Sequence, residues 1–213
     1  MIVSLVGYTS NPERTVAMAG RLTRGDKSFA EIEQATEDLG YCRSFIKRLI
    51  NNGHESVLEH ASFTFYMSGI SRVCSHQLVR HRIASYSQQS QRFNAADVSI
   101  VCPSSIAEKE DALEKFNLAC AYIKDVYETL LSIGIPIEDA RFVLPEGTMT
   151  SLFVTMNARE LRHFFKLRLS KHAQWEIREL AKNMLDIVYA IAPSLFEDIY
   201  EDVIQNGKEA KMK

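Results

Sequence analysis

Apolar and polar positions along this chain follow two periods, and the changes between them divide it into elements. Ile2 to Tyr8 is rich in β-formers and opens the fold, and Pro12 to Leu22 reads as a short helix with proline near its start. Further on, Ile32, Ala35, Leu39, Cys42, Phe45, Ile46 and Leu49 recur at helical spacing, predicting one helix from Phe29 to Asn51 that Asn51-Asn52-Gly53 stops. Ser56 and Glu59 have capping-box spacing, whereas Phe63 to Met67 alternates. A short helical turn feeding a strand reconciles the two signals.

Ser71 to Val79 is predicted as a helix that delivers Arg80-His81-Arg82 at its end, with the polar run beyond as a partly irregular loop. Leu113, Phe116, Cys120, Ile123, Tyr127 and Leu130 form one apolar stripe over Ser104 to Ile133, a long scaffold helix ended by Gly134 and Pro136. Ser151 to Met156 alternates as another strand, Asn157 and Glu160 make a capping signature for a helix through Leu169, and Ala173 to Ala192 reads as the last long helix. Strands set apart from long helices, without regular βαβ alternation, indicate an α+β fold. The expected architecture is one domain, residues 1–213, with long helices packed on a small, mostly antiparallel sheet and a helix-rich C-terminal half.

Composition narrows the classes of function. The 213 residues are 46% apolar, and no Pro/Gly/Ser linker divides them. Twenty-five Lys and Arg against 27 Asp and Glu give a net charge of −2, so there is no global basic field for nucleic acid and any anion site must be local. No segment approaches the roughly twenty apolar residues of a bilayer span, and no basic leader opens the chain. Cys42, Cys74, Cys102 and Cys120 stand apart without a Cys-x-x-Cys pair, which suits free thiols in a reducing, cytoplasmic compartment.

The densest chemistry lies between Arg80 and Arg92. Three cationic or ionisable side chains, Arg80, His81 and Arg82, precede Ser85, Tyr86, Ser87, Gln88, Gln89, Ser90, Gln91 and Arg92, with no Lys, Glu or Asp among them. Guanidinium forks match phosphate, while hydroxyls and amides read the polar edge of a base; nucleotides present both. A solvated loop is the plainer alternative. A single-stranded nucleic-acid binder would need more stacking aromatics than Tyr86 and Phe93, and a flavin-free nucleotide-binding module would share the phosphate chemistry without turnover.

Other chemistries fare worse. Histidine and glutamate at 54, 59, 60, 76 and 81 do not have metalloprotease spacing, because Leu58 stands where the second histidine belongs, and no metal is expected. In Gly20 to Ser28, Asp26 intrudes where a phosphate-loop lysine should directly follow glycine, and no Gly-x-Gly-x-x-Gly occurs. Cys74 is the one thiol near the polar run, but its position suits packing on a helix better than nucleophilic attack. On the helix after Asn157, the residues Arg159, Arg162, His163 and Lys166 share a basic face, whereas Arg168 lies with Leu161, Phe164 and Phe165. Its guanidinium needs a partner there, a ligand or an internal salt bridge, unless it snorkels to the surface.

Arg80-His81-Arg82 followed by Ser90-Gln91-Arg92 resembles the signature of the flavin-dependent thymidylate synthases. His54-Glu-Ser-Val-Leu-Glu-His60, Arg141-Phe-Val-Leu-Pro145, Asn157-Ala-Arg159, Leu167-Arg168 and His172-Ala-Gln-Trp-Glu-Ile177 are similar to further elements of that family, in the expected order over about half of the chain. The resemblance implies conversion of dUMP to dTMP, with 5,10-methylenetetrahydrofolate as carbon donor and NADPH as reductant of bound FAD. It also implies a homotetramer with active sites shared between subunits, and no nucleic-acid or membrane partner.

By the same resemblance, Arg80, His81 and Arg82 contact FAD, with Ser56, Asn157, Arg159 and His163 completing its site; Glu59 and Gln88 belong on the flavin side as well. Gln77, Arg80, Gln88, Gln89, Ser90, Gln91, Arg92, Arg141 and Arg168 hold dUMP. Arg168 is the implied catalytic residue, binding the uracil ring and favouring its ionised form. Gln88 departs from the family pattern, standing where other members carry glutamate.

Overall fold

The computed structural model describes residues 1–211 except Arg24, Asp26, Lys27 and 94–97, with side chains described as far as 204. The phosphate-loop near miss at 20–28 therefore lies partly outside the described residues. The architecture is α+β, with a four-stranded antiparallel sheet in the order β1-β2-β4-β3. The strands are β1, Ile2–Tyr8; β2, Ser62–Ser71; β3, Ala84–Gln88; and β4, Met149–Asn157. Helices α1 (Pro12–Leu22), α2 (Phe29–Ala35) and α3 (Leu39–Asn51) follow β1; α4 (Arg72–Leu78) follows β2. Helices α5 (Ser104–Ala107), α6 (Glu110–Ser132) and α7 (Ile137–Ala140) precede β4, which leads into α8 (Ala158–Arg168), α9 (Trp175–Ile191) and α10 (Pro193–Lys211).

The residues fall into two compact units. The larger comprises Val3–Tyr66, His81–Tyr86 and Phe153–Lys213. Its core is built from one face of each element: Val16 and Ala17 of α1, Phe45, Ile46 and Leu49 of α3, Phe63 and Phe65 of β2, Leu161, Phe164 and Phe165 of α8, and Leu180, Met184 and Val188 of α9 are all buried. Phe63, Phe165 and Phe196 meet edge-on with ring centroids 5.8–5.9 Å apart, the arrangement that aromatic quadrupoles favour. Gly20 lets α1 approach α3 closely, since a Cβ there would stand 2.7 Å from a Leu49 methyl.

Local chemistry places the helix ends. The α3 C-terminus is closed by Gly53 at φ 73°, with the Gly53 N–H donating to the Ile50 carbonyl and the His54 N–H to the Leu49 carbonyl, a Schellman arrangement that leaves His54 just past the helix. The single helix expected over 29–51 is two helices. Thr36 Oγ1 donates back to the Ile32 carbonyl, and the Asp38 carboxylate accepts from the Gly40 and Tyr41 N–H groups, so the chain stops and restarts at Asp38. The capping-box spacing at Ser56 and Glu59 goes unused; residues Glu55–His60 form a 3₁₀ turn with no side-chain cap. The helix at 173–192 is also not the last, because Pro193 starts α10.

The smaller unit comprises Met1–Ile2, Met67–Arg80 and Ser87–Leu152. Ser71 caps α4 by accepting from the Cys74 N–H, and Cys74, Ser75 and Leu78 are buried. The helix expected over 104–133 breaks between α5 and α6. Its stripe residues Leu113, Phe116, Cys120, Ile123 and Leu130 are only half-buried, and Tyr127 alone is fully covered.

Candidate active site

The polar run expected as a partly irregular loop is regular over Ala84–Gln88, where it forms β3. It escaped the alternation test because its inward positions are Ala84, Tyr86 and Gln88, half-buried against exposed Ser85 and Ser87, rather than a row of large apolar residues. In the larger unit this segment brings His81 onto α8. The His81 side chain is 3% exposed and lies against three residues at helical spacing i, i+4 and i+8. Its Nδ1 faces a Glu160 carboxylate oxygen at 3.4 Å, its ring meets Phe164 edge-on with centroids 5.0 Å apart, and its Nε2 accepts a hydrogen bond of 3.1 Å from Arg168 Nε. The Tyr86 hydroxyl donates to the His81 carbonyl at 2.8 Å and fixes the backbone beneath the ring.

Burial first, then the Arg168 charge and the neighbouring His163, push the His81 pKa down to about 4, so the imidazole is neutral at physiological pH. Burial also raises the Glu160 carboxyl above its ordinary value, partly offset by His163, and burial raises the Tyr86 phenol. His81 is thus one internal partner of Arg168 in its apolar surroundings.

The basic face expected on α8 divides. Arg162 is 1% exposed at its side chain and turns inward, donating to both Asp198 oxygens at 2.7 Å and to the Leu195 carbonyl at 2.6 Å. It ties α8 to α10, a structural role that spacing could not separate from solvation. Arg159, His163 and Lys166 remain exposed, and Arg159 pairs with Glu59. With Asn157, Glu55, Ile83 and Glu160 these residues line a cavity of about 470 Å³. Asn157 is the expected N-cap, its Oδ1 accepting from the Glu160 N–H at 2.9 Å, but the Glu160 side chain lies with His81. Ser56 and Arg82 are exposed on the same unit.

The smaller unit gathers the other candidates. The Gln88 amide nitrogen donates to Ser75 Oγ and Thr150 Oγ1, both at 3.1 Å. The Gln89 backbone pairs with Ser151, Ser90 Oγ accepts from the Arg92 N–H, and Gln91 is half-buried in the turn that follows. Arg92 pairs with Glu138 at 2.7 Å, and Arg141 Nε donates to the carbonyl of that same Glu138. Gln77 is half-buried on α4, its amide 3.5 Å from the Val73 carbonyl, and Arg80 is exposed just beyond the helix.

Sequence reasoning missed Arg72. This residue donates from Nη2 to the Gln89 carbonyl, while its Nε is buried with no hydrogen-bond partner among the described residues. Burial first, and the charge of Arg141 second, hold its pKa below the ordinary value. One signal was available: Arg72 is the first residue of α4, the end of a helix where a cation is disfavoured. Cys74 is fully buried two residues on, a core position. Among the described residues, no group of three or more His, Cys, Asp and Glu is arranged to hold a metal ion, and no helix is long and apolar enough to cross a membrane.

Comparison with known proteins gives this geometry its context. Residues 4–194 match the family described as thymidylate synthase complementing protein. A flavin-dependent thymidylate synthase of Geobacter sulfurreducens is 47% identical over 203 residues, covering 93% of this chain and 86% of the relative. One from Pyrococcus abyssi is 47% identical over 190 residues, 86% of this chain and 77% of its own. The crystal structure of a UMP/dUMP methylase, PolB from Streptomyces cacaoi bound with 5-Br dUMP, superposes with a TM-score of 0.81 at 26% identity, covering 92% of this chain and 93% of that one. Fold and relatives together define a flavin-dependent methyltransferase. The chain belongs to the flavin-dependent thymidylate synthases.

Proposed function

We propose that this chain methylates dUMP to dTMP, taking the carbon from 5,10-methylenetetrahydrofolate and the reducing equivalents from NADPH through bound FAD. The observation that carries the nucleotide half of this reading is the crowding of cations in the smaller unit. Arg72 and Arg141 repel each other, and Arg72 keeps a buried donor without an acceptor among the described residues. A nucleotide phosphate supplies the missing negative charge. Arg72, Arg92, Arg141 and Ser90 hold the phosphate in this reading, Gln77, Arg80, Gln88, Gln89 and Gln91 complete the dUMP site, and Arg168 meets the uracil ring.

The larger unit fits a flavin dinucleotide by its donors. Arg159 and Lys166 offer positive charge to a pyrophosphate, His163 offers a ring N–H, and Asn157 places an amide and a helix N-terminus beside the cavity they line. Ser56, Arg80, His81 and Arg82 complete the proposed FAD site, with Glu59 holding Arg159. When bound, FAD supplies the redox chemistry, accepting hydride from NADPH and returning hydride to complete the methyl group. The chain's own contribution is orientation and charge. Donors on Arg168 stabilise negative charge on the uracil ring and so raise the nucleophilicity of C5.

A cavity of about 470 Å³ takes only part of a dinucleotide, which supports a homotetramer whose subunits share each site. Exposed apolar side chains on the larger unit, Val6, Tyr8 and Phe153 among them, are candidates for burial between subunits. The test is release of tritium from C5-tritiated dUMP in the presence of NADPH and methylenetetrahydrofolate, with and without added FAD. FAD-dependent release together with dTMP supports the reading. No release from folded, flavin-loaded protein leaves a nucleotide-binding module.

A further inference from the structure

We infer that Glu160 and His81 form a positioning pair for Arg168: the carboxylate fixes the imidazole tautomer, and the imidazole fixes the guanidinium. The inference rests on the role proposed for Arg168 and adds Glu160 to the machinery of the same site.

Hydrogen-bond direction compels the assignment. A guanidinium has donors only, so Arg168 Nε at 3.1 Å requires an unprotonated Nε2 on His81. The neutral ring then carries its one proton on Nδ1, which faces the Glu160 carboxylate at 3.4 Å. Both side chains are nearly excluded from water, at 3% and 7% exposure, so solvent does not compete for either nitrogen. Phe164 braces the ring from the side, and Tyr86 holds its backbone. A neutral acceptor suits an arginine that must stabilise developing charge on a substrate. A neutral imidazole on Nε orients the guanidinium without cancelling its charge.

The pair is tested on the flavin-loaded enzyme in two ways. Nitrogen-15 magic-angle-spinning NMR of histidine-labelled protein, with the His81 signal identified by its loss in His81→Asn, is expected to show Nδ1 protonated and Nε2 bare at pH 7. An Nε2-protonated ring or an imidazolium overturns the inference without any appeal to activity. In kinetics, Glu160→Ala is expected to lower kcat for dTMP formation by roughly ten- to a hundredfold, from misplacement of a reacting group, at equal flavin occupancy. KM for dUMP should change by less than about threefold, because phosphate contacts dominate ground-state binding. Glu160→Gln, whose amide oxygen keeps an acceptor facing Nδ1, should hold kcat within roughly threefold of the parent. Unchanged kcat in Glu160→Ala, beside an inactive Arg168→Ala, sinks the pair and spares the role of Arg168. An active Arg168→Ala with the expected tautomer intact removes the catalytic reading instead.

Discussion

Two groups of arginines in this chain are handled in opposite ways. In the larger unit, Arg162 and Arg168 are each matched by the protein itself, one by a bidentate carboxylate and a carbonyl, the other by a buried imidazole. In the smaller unit, Arg72 feels the charge of Arg141, and its buried Nε has no hydrogen-bond partner among the described residues; the buried Nε of Arg162 lacks a hydrogen bond too, but it faces the Glu55 carboxylate at 3.8 Å rather than a second cation. A cation satisfied within the fold serves the fold or is held in a pose by it. One left electrostatically raised is ready for an anion from outside, because binding recovers free energy that folding did not.

The comparison breaks most sharply at Arg168. Arg168→Ala should cut dUMP conversion about a thousandfold, the scale of losing a preorganised donor, while the flavin absorbance of purified protein is retained. Equal conversion by the variant would falsify the assigned role. Arg162→Ala should instead act on stability, lowering the unfolding free energy by about 3 kcal/mol because a buried, hydrogen-bonded pair is broken; a denaturant midpoint close to the parent's would return Arg162 to the solvated face that spacing suggested.

His81 adds a pH dependence. Its folded pKa of about 4 lies below the ordinary 6.5, so the unfolded chain binds the proton first as pH falls. Stability from this group is fully present above pH 6.5 and is lost between about 6.5 and 4, by at most about 3 kcal/mol. Melting temperatures of the parent and His81→Asn should therefore converge on acidification, and parallel curves would count against a buried neutral ring.

For Arg72→Met, dUMP affinity by calorimetry should fall about tenfold, with the ligand-free melting temperature unchanged or raised, since a desolvated and repelled cation is removed. A lower melting temperature with intact affinity would make Arg72 structural and erase the contrast between the units. The smallest effect is expected for Cys74→Ala, a fully buried thiol on a core position of α4. Turnover should stay within about twofold, and complete loss from a folded, flavin-loaded variant would revive a cysteine nucleophile.

Much of this was legible beforehand. Helix α1 carries proline at its start and ends where expected, and Asn157 caps α8 as its spacing predicted. The Arg80 to Arg92 run stood out because its residue types suit an anion and a base edge, the role proposed for it above. The strand under that run could not, since β-patterning is recognised by apolar alternation and Ala84, Tyr86 and Gln88 supply little. The break at Asp38 was hidden by an apolar stripe that continues in phase across it. Periodicity likewise cannot tell an arginine facing water from one facing Asp198, because the partner lies 36 residues away on another helix. Glu160 was legible only as a cap; the i, i+4, i+8 series with Phe164 and Arg168 was in plain view, but the ring that reads it comes from the distant segment just before β3.

That series also sets how the α8 segment can vary in length. Each residue turns an α-helix by about 100°, so inserting or deleting one position between Glu160 and Arg168 would swing the arginine well away from the face His81 occupies. Substitutions at the exposed positions between them leave the angle untouched, whereas a single-codon insertion or deletion there separates the ring from one of its two partners however conservative the added residue.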